Sequence, residues 1–237
     1  MIRIRRDPEI YRKDGGWFSA RWHFSFDDYH DPEFMGLGNL RVFNDDRLEP
    51  GAVWPLHPHR DVEGLTYVVE GTFRHEDDHG GDGVLPAGSV QRMTLGSGAW
   101  HSEQNASETE PMRFIQLWII PEQRGLPPSV EQKAFSTEDR TDRLLRAIAP
   151  EGGDAVTVHG NAAVYVSRLT AGAEVSHKTP HGMGGYLYVI SGDLRLGDER
   201  LATGDAAMIV DEPELQLTAG AETELILVEP DLGRPAR

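Results

Sequence analysis

The sequence contains no cysteine among its 237 residues. Disulfide bonds, zinc–thiolate sites and iron–sulfur clusters are therefore excluded. Any metal ion that this protein binds must be held by the side chains of histidine, aspartate or glutamate.

Long hydrophobic runs are also missing. The longest apolar run, residues 114–120, is far shorter than the roughly 20 residues that a membrane-spanning helix needs. The first residues, which include Arg3, Arg5 and Arg6, carry charges with no apolar stretch after them, so they do not form a secretory signal. We therefore expect a cytoplasmic protein.

Positive charge is scarce as well. The sequence has 23 lysines and arginines against 39 aspartates and glutamates, which gives a formal net charge of -16. An acidic surface repels the phosphate backbone of nucleic acids and anionic lipids. We therefore expect neither nucleic acid nor a membrane as a direct partner, whereas a basic or neutral protein partner is compatible with this charge.

Turn-forming residues are abundant. The 26 glycines and 15 prolines separate many short apolar runs, a pattern that predicts frequent turns and an all-β fold. Residues 121–140 are rich in Pro, Gln, Glu and Ser, and we interpret them as a connection between two domains, residues 1–133 and residues 134–237. The pattern of residues 141–149 fits a short helix or a strand equally well.

An internal repeat links the two halves of the sequence. Residues 51–71 resemble residues 172–192: each segment begins and ends with glycine and contains a Tyr-Val pair at the corresponding place. Downstream, residues 85–88 are echoed by residues 201–204. A repeat of this kind predicts two copies of one β-barrel unit.

The second copy differs from the first in its histidines. At the repeat offset, His57 and His59 align with a lysine and a proline, and no histidine follows His181. We therefore expect the second unit to be structural and without metal. His177 and His181 are interpreted as loop or pocket-rim histidines, with a weak two-histidine site as the alternative.

Two short segments of the first copy carry metal-ligand side chains. His57 and His59 share one face of a predicted strand because successive side chains alternate, and Glu63 shares that face if the alternation continues unbroken. His101 and Glu103 repeat the pattern on a second segment. Two such strands that meet across a barrel would enclose one metal ion. Imidazole and carboxylate ligands suit divalent metals such as iron, manganese, nickel and copper.

Several blocks of the sequence occur in a characteristic order, namely residues 24–29, residues 40–46, His57-Pro58-His59-Arg60, residues 66–71 and His101-Ser102-Glu103. With these blocks the sequence resembles the pirin family, in the bicupin branch of the cupin superfamily. The resemblance implies an all-β fold with two jelly-roll β-barrels in tandem. It also implies a metal site formed by His57, His59, His101 and Glu103.

The fourth ligand has two candidates. Cupins in general use the glutamate of the first motif, which is Glu63 here, whereas pirins use the glutamate beside the third histidine, which is Glu103. Both fit the strand alternation. We predict that Glu103 binds the metal and that Glu63 orients one of the histidines from behind. The expected cofactor is one divalent transition metal, with iron preferred over nickel, manganese, copper, cobalt and zinc.

The resemblance further implies a dioxygenase of the quercetin 2,3-dioxygenase type, which cleaves a flavonol such as quercetin with O2 and releases CO. The flavonol would bind the metal through its 3-hydroxyl and 4-carbonyl oxygens, and Glu103 or Glu63 would accept the hydroxyl proton. Trp54, Met93 and Trp100 lie beside the predicted ligands and would line an aromatic pocket, with core packing as their alternative role.

Two other functions are compatible with the same residues. One is a non-catalytic, redox-sensitive metalloprotein that acts through a protein partner. The other is a different cupin reaction, such as an isomerisation, because one barrel hosts many chemistries and the fold alone does not select among them.

Overall fold

The computed structural model describes residues 1–234 as an almost entirely β-structured chain. The first half contains the strands β1 (Ile2–Arg5), β2 (Tyr11–Asp14), β3 (Phe18–Trp22), β4 (Leu40–Leu48), β5 (Val53–His59), β6 (Glu63–Glu70), β7 (Thr72–Asp77), β8 (Asp82–Pro86), β9 (Ser89–Thr94), β10 (Ala99–Asn105), β11 (Met112–Ile119) and β12 (Ser129–Ala134). The second half contains β13 (Leu145–Ala149), β14 (Val156–Thr157), β15 (Ala162–Leu169), β16 (Glu174–Lys178), β17 (Gly185–Ser191), β18 (Asp193–Leu196), β19 (Glu199–Ala202), β20 (Ala206–Ile209), β21 (Glu214–Ala219) and β22 (Thr223–Pro230).

Helical structure is limited to one turn of 3-10 helix at Asp7–Glu9 and the short helix α1 (Thr137–Arg140) within the described range. The capping box of α1 explains why it begins where it does, because Ser136 and Asp139 hydrogen-bond with each other's backbone N–H groups. Between residues 1 and 234, no helix has the length and apolar character that crossing a membrane requires.

The strands form two similar units, each with one large and one small sheet. In the first unit, a seven-stranded sheet in the order β12-β9-β6-β11-β4-β3-β2 accompanies a four-stranded sheet in the order β5-β10-β7-β8. In the second unit, the orders are β1-β20-β17-β22-β15-β13-β14 and β16-β21-β18-β19. The predicted all-β fold of two jelly-roll cupin units is therefore confirmed.

The two large sheets pack against each other. Side chains alternate between the faces of a strand, and on β6 Leu65, Tyr67 and Val69 join an apolar cluster that also contains Tyr186 and Val228 of the second unit. Burial of each such large side chain stabilises the fold by roughly 1.5–3 kcal/mol. The side chains between them on β6 point into the first unit, so β6 is buried on both faces.

The small sheets have one face toward solvent. Along β10 the residues alternate between fully and less buried positions, and β5 alternates between exposed and partly buried positions around one irregularity. The inward-facing residues of both strands therefore point between the two sheets of the first unit, where the predicted metal ligands lie.

The N-terminal strand belongs to the second unit. Strand β1 pairs with β20, with Ile2 opposite Ile209, and Ile2 and Ile4 pack against an apolar cluster of the second half. The division predicted at residue 133 places this segment in the first domain instead. Its two-residue alternation predicted a strand but carries no information on which sheet receives it.

The predicted connection also contains regular structure. Strand β12 pairs along its whole length with β9 at the edge of the first large sheet. The ambiguous segment that follows forms the strand β13, which pairs with β15. Residues 235–237, at the end of the predicted second domain, lie outside the described residues.

Candidate metal centre

Three histidines converge inside the first unit. His57 and His59 lie on β5, and His101 lies directly opposite His57 on the neighbouring antiparallel strand β10. The ring centroids are 4.5 Å apart for His57 and His101, 4.8 Å for His57 and His59, and 5.4 Å for His59 and His101. One ring nitrogen from each residue lies within 4.8 Å of the other two. The structure thus brings together the three histidines that the sequence predicts as ligands.

A β-bulge in β5 helps to aim His57. Between the pairs His101–His57 and Glu103–Trp54, β5 has one more residue than β10. The His57 Nδ1 atom lies 2.8 Å from the Pro55 carbonyl oxygen. A carbonyl only accepts, so Nδ1 carries the proton and the lone pair of Nε2 is available to a metal.

Burial keeps the imidazoles of His59 and His101 neutral. Burial, together with the neighbouring His57 and His75, lowers the pKa of His101 to about 3. Burial likewise lowers the pKa of His59 to about 4, with additional contributions from His57 and His101. Both rings are unprotonated at neutral pH, as metal binding requires.

The donor set fits a divalent metal ion. Both ring nitrogens of His101 are buried and neither has a hydrogen-bond partner in the protein, an arrangement that is costly for an imidazole without another ligand. An ion held by these residues would draw their nitrogens, which lie within 4.8 Å of one another, closer together.

Glu103 stands beside this cluster. It follows His101 by two residues on β10, and its Oε1 lies 3.9 Å from His101 Nδ1. Gln116 Nε2 donates a hydrogen bond of 2.6 Å to the same oxygen, which leaves Oε2 free of protein hydrogen bonds. Burial raises the pKa of Glu103, and a bound cation would act in the opposite direction by stabilising the carboxylate.

Glu63 lies elsewhere, contrary to the prediction that it orients a metal-binding histidine. Its Oε2 accepts hydrogen bonds from the backbone N–H and, at 3.2 Å, from Nδ1 of His159 in the second half. The alternation from His59 does not continue, because the chain turns at Asp61, whose φ is 55°, and enters the other sheet. Glu63 consequently starts β6 on the face that packs against the second unit.

A second histidine–carboxylate pair near the site was not identified from the sequence. His75 is fully buried on β7, opposite Glu103, and its ring centroid lies 5.8 Å from that of His101. The His75 Nε2 atom lies 3.0 Å from Asp77 Oδ2. Burial opposes a low pKa for Asp77, but the hydrogen bonds from His75 and from backbone N–H groups lower it. The two-residue spacing of His75 and Asp77 was the available signal.

A cavity of about 350 Å³ opens beside the histidines, within the range of about 300–1,000 Å³ typical of ligand pockets. Its lining combines aromatic and polar side chains from both sheets: Phe26, Asp27, Asn44, Asp46, Trp54, His57, His59, Glu103, Phe114, Gln116 and Trp118. The Trp118 ring packs edge-on against His59 at 4.5 Å between centroids. Burial raises the pKa of Asp46 well above its ordinary range, and the charges of Asp45 and Glu103 add to this effect.

Of the three residues predicted to line an aromatic pocket, Trp54 does so. It also contacts Trp17, with ring centroids 5.1 Å apart. Met93 instead belongs to an apolar cluster with Val62. Trp100 is 46% exposed and lines a separate surface depression.

The second unit contains a histidine at the place equivalent to His57. On its small sheet, His177 of β16 pairs with Leu215 of β21, as His57 pairs with His101. The alignment at a constant offset missed this equivalence because β16 lacks the bulge. His177 Nε2 lies 2.7 Å from Glu229 Oε1. His181 follows the end of β16 and lines a different pocket.

Comparison with known proteins places this chain in a family. The sequence profile described as pirin matches residues 5–119, and the profile described as quercetinase C-terminal cupin domain matches residues 147–229. The chain is 36% identical over 230 residues to quercetin 2,3-dioxygenase of Escherichia coli K12, covering 97% of this chain and 98% of that protein. It is also 38% identical over 231 residues to a pirin-like protein of Caulobacter vibrioides, covering 97% and 99%. The chain belongs to the pirin family.

Solved pirin structures share the whole architecture. The pirin YhhW of Escherichia coli superimposes with a TM-score of 0.92 at 34% identity, covering 97% of each chain. The complex of YhhW with nickel(II) superimposes with a TM-score of 0.91, covering 98% of this chain and 99% of that one. The pirin fold and a histidine cluster suited to one divalent metal ion are thus present in this chain.

Proposed function

We propose that this pirin is a metal-dependent dioxygenase that cleaves flavonols such as quercetin. The observation that carries the proposal is a cluster of three histidines, of which His57 and His59 line a cavity with aromatic walls together with Glu103. Relatives that carry the name quercetin 2,3-dioxygenase and match over nearly the full length support it. In the proposed reaction, one flavonol and one O2 yield the ring-opened ester and one CO.

In this proposal, His57, His59 and His101 hold one divalent metal, which we take to be iron, and Glu103 is the fourth ligand. The metal supplies a Lewis-acidic centre that lowers the pKa of a bound hydroxyl group. The proton of the flavonol 3-hydroxyl passes to Glu103, whose Oε1 is held by Gln116 while Oε2 is free to accept it.

The cavity walls position the substrate and exclude water from it. Trp54, Phe114 and Trp118 line the space beside the histidines and offer flat apolar surfaces to a planar substrate. Such walls exclude water, and electrostatic interactions inside the cavity are consequently stronger than in bulk solvent.

The test is turnover by protein loaded anaerobically with iron(II), or with nickel(II) for comparison. Quercetin loss and CO release are measured together after air is admitted. We expect about one bound metal per chain and equal amounts of quercetin consumed and CO formed. The His101→Ala variant should lose metal and turnover but keep its fold, whereas His181→Ala, an exposed histidine outside the site, should retain both.

The same assay separates the proposal from a non-catalytic role. A wild-type protein that binds one metal but consumes no flavonol would contradict the dioxygenase assignment. That result would favour a redox-sensitive metalloprotein that acts through a protein partner. Turnover that persists in His101→Ala would contradict the assignment of the metal centre.

A further inference from the structure

Two polar side chains on β4 point into the cavity from its buried wall. Asn44 is 1% exposed and Asp46 is 2% exposed, and both line the cavity beside the histidines. They are two residues apart on one strand, so they share its inward face. Strand β11 is the neighbour, with Gln116 opposite Asn44 and Phe114 opposite Asp46.

These side chains lack partners within the protein. Neither the amide oxygen nor the amide nitrogen of Asn44 has a hydrogen-bond partner, and Asp46 Oδ1 has none either. Buried polar groups are otherwise almost always paired, because an unpaired one destabilises the fold. The two residues therefore have hydrogen-bonding capacity that the packing of the protein does not use.

The intervening residue on the same strand shows the contrast. Asp45 points to the opposite face, where Arg113 donates two hydrogen bonds of 2.8 Å to it and the Tyr188 hydroxyl donates a third. The buried carboxylate between the two units is thus fully paired. The unpaired groups on β4 are confined to the side that faces the cavity, where a ligand can reach them.

The polar wall also connects to the reacting end of the site. Gln116, directly opposite Asn44, donates its side-chain hydrogen bond to Glu103. Polar groups therefore extend from Glu103 through Gln116 to Asn44, while Trp54 and Trp118 are aromatic parts of the lining. A ligand that fills this space needs a flat apolar body with polar groups along the edge that faces Glu103, Gln116 and Asn44.

From this arrangement we propose that Asn44 and Asp46 bind a hydroxyl group of the substrate other than the two oxygens that meet the metal. The inference rests on the proposed function and narrows its substrate class to flavonols that carry hydroxyl groups in addition to the 3-hydroxyl. The amide of Asn44 both donates to and accepts from such a hydroxyl. A flavonol whose only hydroxyl group is the 3-hydroxyl leaves both side chains unpaired and is a poorer substrate.

The experiment compares quercetin with 3-hydroxyflavone, which keeps the 3-hydroxyl and 4-carbonyl pair but has no other hydroxyl group. The variants are Asn44→Leu, Asp46→Asn and, as a control on the apolar wall, Phe114→Leu. Thermal unfolding reports whether each variant folds. Steady-state kcat/KM is measured with matched metal content, and binding to metal-free protein is measured by quenching of tryptophan fluorescence.

For Asn44→Leu we expect a loss of about tenfold in kcat/KM and in affinity for quercetin. The values for 3-hydroxyflavone should change less than about twofold, because that ligand makes no such hydrogen bond. Asp46→Asn should show the same selectivity with a smaller loss. Phe114→Leu should weaken the binding of both ligands to the same extent.

Equal losses for both flavonols in Asn44→Leu, or no loss for either, would overturn the inference and leave the proposed function intact. If the wild type turns over neither flavonol, the proposed function fails. In that case the binding data test whether Asn44 and Asp46 bind the additional hydroxyl group. A selective loss of quercetin binding in Asn44→Leu supports this inference, and an unselective effect refutes it.

Discussion

The hydrogen bond between Gln116 and Glu103 offers a direct way to perturb the reacting carboxylate. Gln116 Nε2 donates at 2.6 Å to Oε1, and this interaction lowers the pKa of Glu103 against the burial that raises it. Gln116→Leu preserves the side-chain volume closely but removes the donor. A hydrogen bond to a charged group contributes about 1.5–3 kcal/mol. Loss of this hydrogen bond should therefore raise the pKa of Glu103.

The sign of this change predicts its effect on activity. A carboxylate that must be ionised to bind metal or to accept a proton fails as the pH falls through its pKa. The acid limb of the pH–rate profile should therefore move to higher pH in Gln116→Leu, by an amount equivalent to about 1.5–3 kcal/mol. A bound cation lowers the pKa in both proteins by attraction, so the comparison between variant and wild type retains the difference.

The assay is kcat/KM for quercetin across roughly pH 5.5–9, together with metal affinity measured by competition with a chelator. Gln91→Leu is a matched control, because Gln91 is also buried in the first unit and its hydrogen bond with Gln132 lies outside the lining of the cavity. We expect this control to keep the wild-type pH profile. An unshifted profile and unchanged metal affinity in Gln116→Leu would refute the role assigned to Glu103.

Three further predictions concern stability and metal binding. Burial lowers the pKa of His23 to about 3, so the side chain is neutral in the fold and gains a proton on unfolding below about pH 6.5. The wild type should therefore lose stability between pH 7 and pH 5, and in His23→Phe this loss should be smaller by about 2 kcal/mol. Urea unfolding at both pH values measures the difference. Asp45→Ala should destabilise the protein by about 3–5 kcal/mol in urea unfolding, because it leaves the partly buried Arg113 without its carboxylate. An unchanged midpoint would contradict a structural role for this pair. His75→Phe should weaken metal binding about tenfold in chelator competition if the His75–Asp77 pair supports the site from behind, and equal affinity would show that it does not.

The sequence was most informative where the argument depended on alternation within one strand. His57 and His59, and likewise His101 and Glu103, are two residues apart, and each pair points inward in the structure. The ordered blocks and the repeat likewise predicted the pirin family and the two jelly-roll units, both of which are confirmed. The same reasoning gave the wrong neighbours for Glu63, because a single residue with positive φ at Asp61 ends the alternation.

Tertiary structure decided which strands meet. Pairing of β5 with β10 places His57 against His101, and pairing of β10 with β7 adds His75 behind them. The entry of β1 into the sheet of the second unit is equally non-local. Side-chain alternation follows from the geometry of a single extended chain, so the sequence determined the ligand faces. Strand partners and bulges depend on packing between distant segments, so the enclosure of the site and its unpaired polar wall emerged only from the folded molecule.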